Sequence, residues 1–107
     1  MRFLTLKIML CLLLSLIISR IEANTNNYSI SGRISDERTG SPLPGASILI
    51  KGTYLWAVSD QKGEFTIQGI QEGKYQLEVS FLGYVPATVP VNVNNSIKGL
   101  KIQLKEN

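Results

Sequence analysis

From Tyr28 onward, apolar residues recur at every second position in short runs separated by turn-forming residues. That period belongs to β-strands with one buried face, because successive side chains leave a strand on opposite sides. The first run, Tyr28 to Ile34, puts Ile30, Gly32 and Ile34 on one face. Asp36 to Gly45 (DERTGSPLPG) carries two prolines among other turn formers and reads as a surface loop. Ala46, Ile48 and Ile50 alternate along a second strand, and Lys51 to Thr53 turns the chain. Tyr54 to Ser59 reads as a third short strand, with Tyr54 and Trp56 on the face opposite Leu55. It closes at Asp60 to Gly63, where an aspartate side chain can cap a turn and glycine can adopt positive φ.

Phe65 and Ile67 share a face of a fourth strand, followed by a turn from Gly69 to Gly73. The fifth strand has the clearest signal, with Tyr75, Leu77, Val79 and Phe81 pointing one way and Gln76, Glu78 and Ser80 the other. Val89, Val91 and Val93 alternate along a sixth strand, flanked by Pro86 and Pro90. Proline cannot donate to a ladder, so this strand is expected at a sheet edge. Asn94 to Ser96 then turns into a last strand with Leu100, Ile102 and Leu104 inward. Seven short strands with no helical period and no repeat predict an all-β, antiparallel sandwich.

The first 23 residues follow a different pattern. Arg2 and Lys7 precede an apolar run from Ile8 to Ile18, interrupted only by Ser15, and a short polar stretch leads to Ala23. This is the layout of a secretory signal peptide over residues 1–23, with cleavage expected after Ala23. The run is shorter than the roughly 17–25 residues that span a bilayer, so no transmembrane span is expected in the mature chain. Residues 24–27 form a polar leader, and residues 28–105 the folded domain. Cys11 lies inside the apolar run behind Leu10, which is not the small residue that lipidation requires. Cleavage removes this single cysteine, so disulfides contribute nothing.

Charge and chemistry narrow the functional classes. The chain carries eleven basic and eight acidic residues; removing Arg2, Lys7, Arg20 and Glu22 leaves eight and seven, a net +1. No basic cluster survives, which argues against nucleic acid as a partner. The chain has no histidine, and with Cys11 removed neither zinc sites nor the common Ser-His-Asp and Cys-His arrangements can be built. Asp36, Glu37, Asp60 and Glu64 are the remaining carboxylates for a catalytic pair or a calcium site. Calcium needs six to eight oxygens, and aspartates in turns usually cap backbone, so these residues read as turn capping and solvated charge. No catalytic, cofactor or metal-binding residue is assigned, and no cofactor is expected. Phe65, Tyr75 and Phe81 are core by alternation. The candidate interaction surface comprises Tyr54, Trp56, Tyr84, Val89 and Val91, the valines on a strand edge open to an incoming strand.

The order of turns and strands is more specific than a generic sandwich. Ile30 to Asp36 (ISGRISD), Gly40 to Ala46 (GSPLPGA), Ile50 to Thr53 (IKGT), Ser59 to Phe65 (SDQKGEF), Gly73 to Tyr75 (GKY) and Val79 to Tyr84 (VSFLGY) follow one another. This series resembles the carboxypeptidase regulatory-like domain, of the type found at the N-terminus of outer-membrane TonB-dependent receptors. The resemblance covers about residues 28–104 and implies a transthyretin-like (prealbumin-like) β-sandwich. It implies an exported, non-catalytic accessory domain in the periplasm, with or without attachment to the outer membrane, serving TonB-dependent nutrient uptake. The implied partner is an envelope protein, either a receptor plug and barrel or a transport component. The alternative is a stand-alone carbohydrate- or surface-binding module, with glycan as the ligand. The chain is expected to be either such a module or the front of a longer receptor. Trp56 departs from the family, which usually has a small residue there.

Overall fold

The computed structural model describes Thr5, Lys7 to Met9 and residues 26–107. The expected signal segment 1–23, its cleavage after Ala23 and Cys11 therefore lie wholly or almost wholly outside the described residues. Seven strands follow in order: β1 (Tyr28–Asp36), β2 (Ser47–Ile50), β3 (Trp56–Val58), β4 (Glu64–Ile70), β5 (Gly73–Ser80), β6 (Ala87–Val93) and β7 (Ile97–Leu104). They form a three-stranded sheet in the order β4-β1-β7 and a four-stranded sheet in the order β3-β2-β5-β6. The fold is an all-β sandwich. No helix among the described residues is long and apolar enough to cross a membrane.

Alternation places the core where the period predicts. On β5, Leu77 and Val79 are fully buried, Tyr75 is half-buried against the core, and Gln76, Glu78 and Ser80 are exposed. Phe81, expected on this strand, lies just past its end and is also half-buried against the core. Ile30 and Ile34 on β1, Ile48 and Ile50 on β2, and Ile102 and Leu104 on β7 complete the packed layer between the sheets. Most of these side chains are β-branched or long aliphatics, each worth roughly 1.5–3 kcal/mol when buried.

Four details depart from the simple pattern. The first is pairing: four of the five ladders are antiparallel, but β1 and β7 run parallel. Antiparallel neighbours are natural for strands joined by a hairpin, whereas β1 and β7 are separated by the whole domain and are free of that constraint. Two glycines make their contact fit. A Cβ at Gly32 would overlap the carbonyl of Leu100, and Gly99, at φ 70°, forms the bulge across which Ile30 pairs with Ile97 but Gly32 with Leu100. The second departure is the proline-rich loop, which is not purely surface. Leu43 is buried between its two prolines, and its N–H donates to the carbonyl of Ile34 at 3.0 Å.

The third lies on β4, where Ile67 and Ile70 are both buried despite being three residues apart. The register shift opposite Tyr28 and Ile30 supplies the extra residue and returns Ile70 to the inner face. The fourth is β3, which spans only Trp56–Val58 rather than Tyr54 to Ser59. Thr53 holds the preceding residues in a turn: its Oγ1 donates to Ile50 O at 2.8 Å and accepts from Leu55 N at 3.0 Å.

Candidate interaction surface

The outer face of the four-stranded sheet is set by its register. Trp56 lies opposite Leu49 and Leu49 opposite Glu78, which in turn faces Thr88. Along β3 the outward parity belongs to Trp56 and Val58, 63% and 50% exposed, and Tyr54 in the preceding turn is 98% exposed. Tyr54 and Trp56 are thus both exposed while Leu55 between them packs toward the core, but Tyr54 precedes β3 and does not share a strand face with Trp56 as expected.

Main-chain direction at this edge follows from the hydrogen bonds around it. Ile50 N donates to Leu55 O at 3.0 Å and Ser59 N to Ala46 O at 2.9 Å, so Leu55 and Ser59 turn their backbone groups toward β2. In an antiparallel ladder these directions alternate. Ala57, opposite Ile48, shares the direction of Leu55, while the N–H and C=O of Trp56 and Val58 point away from β2, at the sheet edge.

The opposite edge of the same sheet is β6, as expected from its prolines. Val89 and Val91 are half-buried and pack against the core, so they present little side-chain surface. Lys51 N donates to Gln76 O at 2.9 Å, which shows that Gln76 directs its backbone toward β2. Its partner Pro90 is then a non-hydrogen-bonded pair, with the proline nitrogen at the free edge. Tyr54 and Trp56 therefore sit three strand spacings from Val89 and Val91, about 14 Å at ~4.8 Å per strand. The five candidate residues do not form one surface.

Tyr84 belongs to a third location. Its hydroxyl donates to Asp36 Oδ2 at 2.7 Å, and its ring lies 5.5 Å from that of Phe81 at a tilt of 52°. Asp36 is only 5% exposed, and its Oδ1 accepts from the N–H of Arg38 at 2.8 Å and of Thr39 at 3.0 Å. These bonds favour the ionised carboxylate, led by the one from Tyr84, and lower its pKa to about 2. Tyr84 is correspondingly raised to about 12, chiefly because its hydroxyl proton is held by Asp36. Nearby, Val85 N donates to Lys105 O at 2.8 Å and Asn107 N to Gly83 O at 2.9 Å, so this loop closes over the end of β7.

The other carboxylate candidates are turn elements or surface groups. Asp60 Oδ1 accepts from Lys62 N and Glu64 N, each at 2.9 Å, which caps the turn before β4. Glu37 and Glu64 are exposed. Among the described residues no group of three or more His, Cys, Asp or Glu is arranged to hold a metal ion. Sequence reasoning overlooked Ser59. It is 5% exposed; its Oγ accepts from Ala46 N at 2.8 Å and donates to Leu43 O at 2.6 Å, fastening the end of β3 to the start of β2. Its only signal was a polar residue just past a strand end, which says nothing about partners 13 and 16 residues away.

The profile of the CarboxypepD_reg-like domain matches residues 30–107. The chain belongs to this family. It is similar to the TonB-dependent receptor SusC of Bacteroides thetaiotaomicron, at 33% identity over 85 residues, which is 79% of this chain and 8% of the receptor. It is also similar to the TonB-dependent receptor P3 of Formosa agariphila, at 29% identity over 102 residues, covering 95% of this chain and 10% of the receptor. The chain thus spans a tenth or less of the curated relatives it matches. Among solved structures, it resembles a chain of a type II cohesin–X–dockerin complex from Acetivibrio cellulolyticus with a TM-score of 0.64 and 25% identity, covering 74% of this chain and 58% of that one. As a CarboxypepD_reg-like domain, the chain uses the motifs that identify it to build turns, caps and core. Ile30 to Asp36 carries the buried strand and its capping aspartate, and Ser59 to Phe65 the Asp60 turn that delivers Phe65 to the core.

Proposed function

We propose that this CarboxypepD_reg-like domain is a non-catalytic, periplasmic accessory domain that binds protein and serves TonB-dependent nutrient uptake across the outer membrane. The observation that carries this reading is the family match over residues 30–107 together with two curated relatives that are both TonB-dependent receptors. The chemistry of the domain supports it. Asp36 and Asp60 are engaged in holding turns and Tyr84 in holding Asp36, while the large side chains left exposed are apolar ones suited to contact.

The test is to express the full chain with a C-terminal tag in a bacterium that carries such receptors, fractionate the envelope, and identify cross-linked partners by mass spectrometry. The expected result is processed protein in the periplasmic fraction, cross-linked to a TonB-dependent receptor or to a component that energises one. Cytoplasmic retention, or envelope material that cross-links to no transport protein, would overturn it. A second reading, a carbohydrate-binding module acting alone, is favoured by the exposed rings of Tyr54 and Trp56, which are of the kind that stack on sugars. Retention on a glycan in the absence of any protein partner would select it.

A further inference from the structure

We propose that the free edge of β3 receives an extended segment of a partner protein by strand addition, with Trp56 and Val58 as the docking residues. This deepens the protein-binding reading above and rests on it. The backbone supplies the first part of the argument. Trp56 and Val58 direct their N–H and C=O groups away from β2, so two residues at i and i+2 offer the donor and acceptor pattern that an incoming strand completes.

The other three edges are less suited. On β6, Pro90 places a nitrogen without a proton in the middle of the free edge, which interrupts any continued ladder. Just past β7, Lys105 O is already taken by Val85 N, and along the strand itself Lys98 and Lys101 are exposed, a common guard against edge pairing. On β4, the outward residues are Glu64, Thr66 and Gln68, which give an added strand no apolar contact, and Asp60 already bonds both backbone groups of Glu64. Among the described residues, only the β3 edge combines open backbone groups with large exposed apolar side chains.

The area decides what kind of occupant fits. Taking an aromatic side chain at about 150–250 Å², the exposed parts of Tyr54, Trp56 and Val58 come to on the order of 400 Å². A stable interface between folded partners buries about 800 Å² on each side, so this edge is too small to hold a second copy of the domain. A short extended segment, drawing part of its affinity from main-chain hydrogen bonds, suits an edge of this size. Its side chains on the outer face would lie beside Trp56 and Val58, so alternate positions should be apolar.

A random heptapeptide library displayed on phage is the probe, selected on the full chain. The discriminating variant is Val58→Pro, which removes an edge N–H that makes no bond to β2 and leaves the Trp56 ring in place. Trp56→Ala does the reverse. Strand addition predicts enriched peptides with apolar residues at alternate positions, and affinity at least about tenfold weaker for Val58→Pro. It also predicts amide exchange at Trp56 and Val58 slowed at least about tenfold by a selected peptide on the unmodified chain, a measurement that stands even if Val58→Pro fails to fold. Lack of enrichment, or unchanged exchange at these two amides, would overturn the proposal; envelope protein still captured would then leave the broader reading standing. Binding of maltoheptaose that survives Val58→Pro and disappears in Trp56→Ala would overturn it in favour of a glycan ligand.

Discussion

Replacing Ser59 by alanine should be among the most damaging single-atom deletions in this domain. The hydroxyl serves two backbone groups, the N–H of Ala46 at 2.8 Å and the C=O of Leu43 at 2.6 Å, at a position only 5% exposed. Alanine removes both partners at once and leaves a donor and an acceptor buried without bonds. Each unsatisfied group costs about 1–3 kcal/mol, and a water that entered the vacated space would recover part of it, so the net loss should be about 2–4 kcal/mol. With roughly 2.1 cal/mol/K of unfolding entropy per residue, a domain of ~80 residues has an unfolding entropy near ~170 cal/mol/K. The melting midpoint should therefore fall by about 12–24 °C. Circular dichroism melts of the unmodified protein, Ser59→Ala and the exposed control Ser80→Ala would measure it. A drop for Ser59→Ala no larger than that of the control would refute the reasoning, because it would mean that the two backbone groups find other partners or water at no cost.

Two further predictions concern the other fastenings. The Asp36 carboxyl is lowered to about 2 by Tyr84 and two backbone amides, below its ordinary value near ~3.9. The unfolded chain therefore binds the proton first, and the pair stabilises the fold above about pH 4 but loses that contribution as pH falls toward 2. Tyr84, raised to about 12, adds stability that is fully present below about pH 10 and is lost progressively as pH rises toward 12. Tyr84→Phe should lower the neutral-pH midpoint and flatten both slopes in melts across pH; an acid slope identical to that of the unmodified protein would refute the pairing. Gly32→Ala should cost at least about 2 kcal/mol, since the added carbon meets the Leu100 backbone rather than a side chain that can swing aside. A chemical-denaturation midpoint matching the unmodified protein would show that β1 and β7 separate freely.

Much of this fold was legible because it is local. The period of two along β5 settles which residues face the core, since Leu77 and Val79 need no distant information to be inward. Pro90 likewise announces an edge through the missing proton alone, and β6 is at the edge. What was not legible depends on residues far apart in the chain. Nothing near Tyr84 reveals that its hydroxyl meets Asp36, 48 residues earlier, so an aromatic at the rim reads as exposed surface. Leu43 sits among prolines and reads as loop, yet Ile34 accepts its N–H and draws it inside. The candidate surface shared this limit. Alternation identified the outward position of Trp56, but only the strand order separates it from Val89 and Val91. The direction of backbone groups, which distinguishes one edge from the other, is invisible to side-chain pattern.

The parallel pairing of β1 with β7 has a mechanical consequence. Tyr28 begins β1 at the end of the sheet where Ile97 begins β7, and Asp36 pairs with Leu104 at the other. The domain's two termini thus leave from opposite poles, separated by the nine residues of β1, about 30 Å at ~3.3 Å per residue. Tension applied between those poles drags the two strands past each other along their length. Their hydrogen bonds then bear load side by side, in shear, and must yield together rather than opening one after another from a free end. A domain wired this way behaves as a stiff link under pull, and its resistance depends on the direction in which it is drawn.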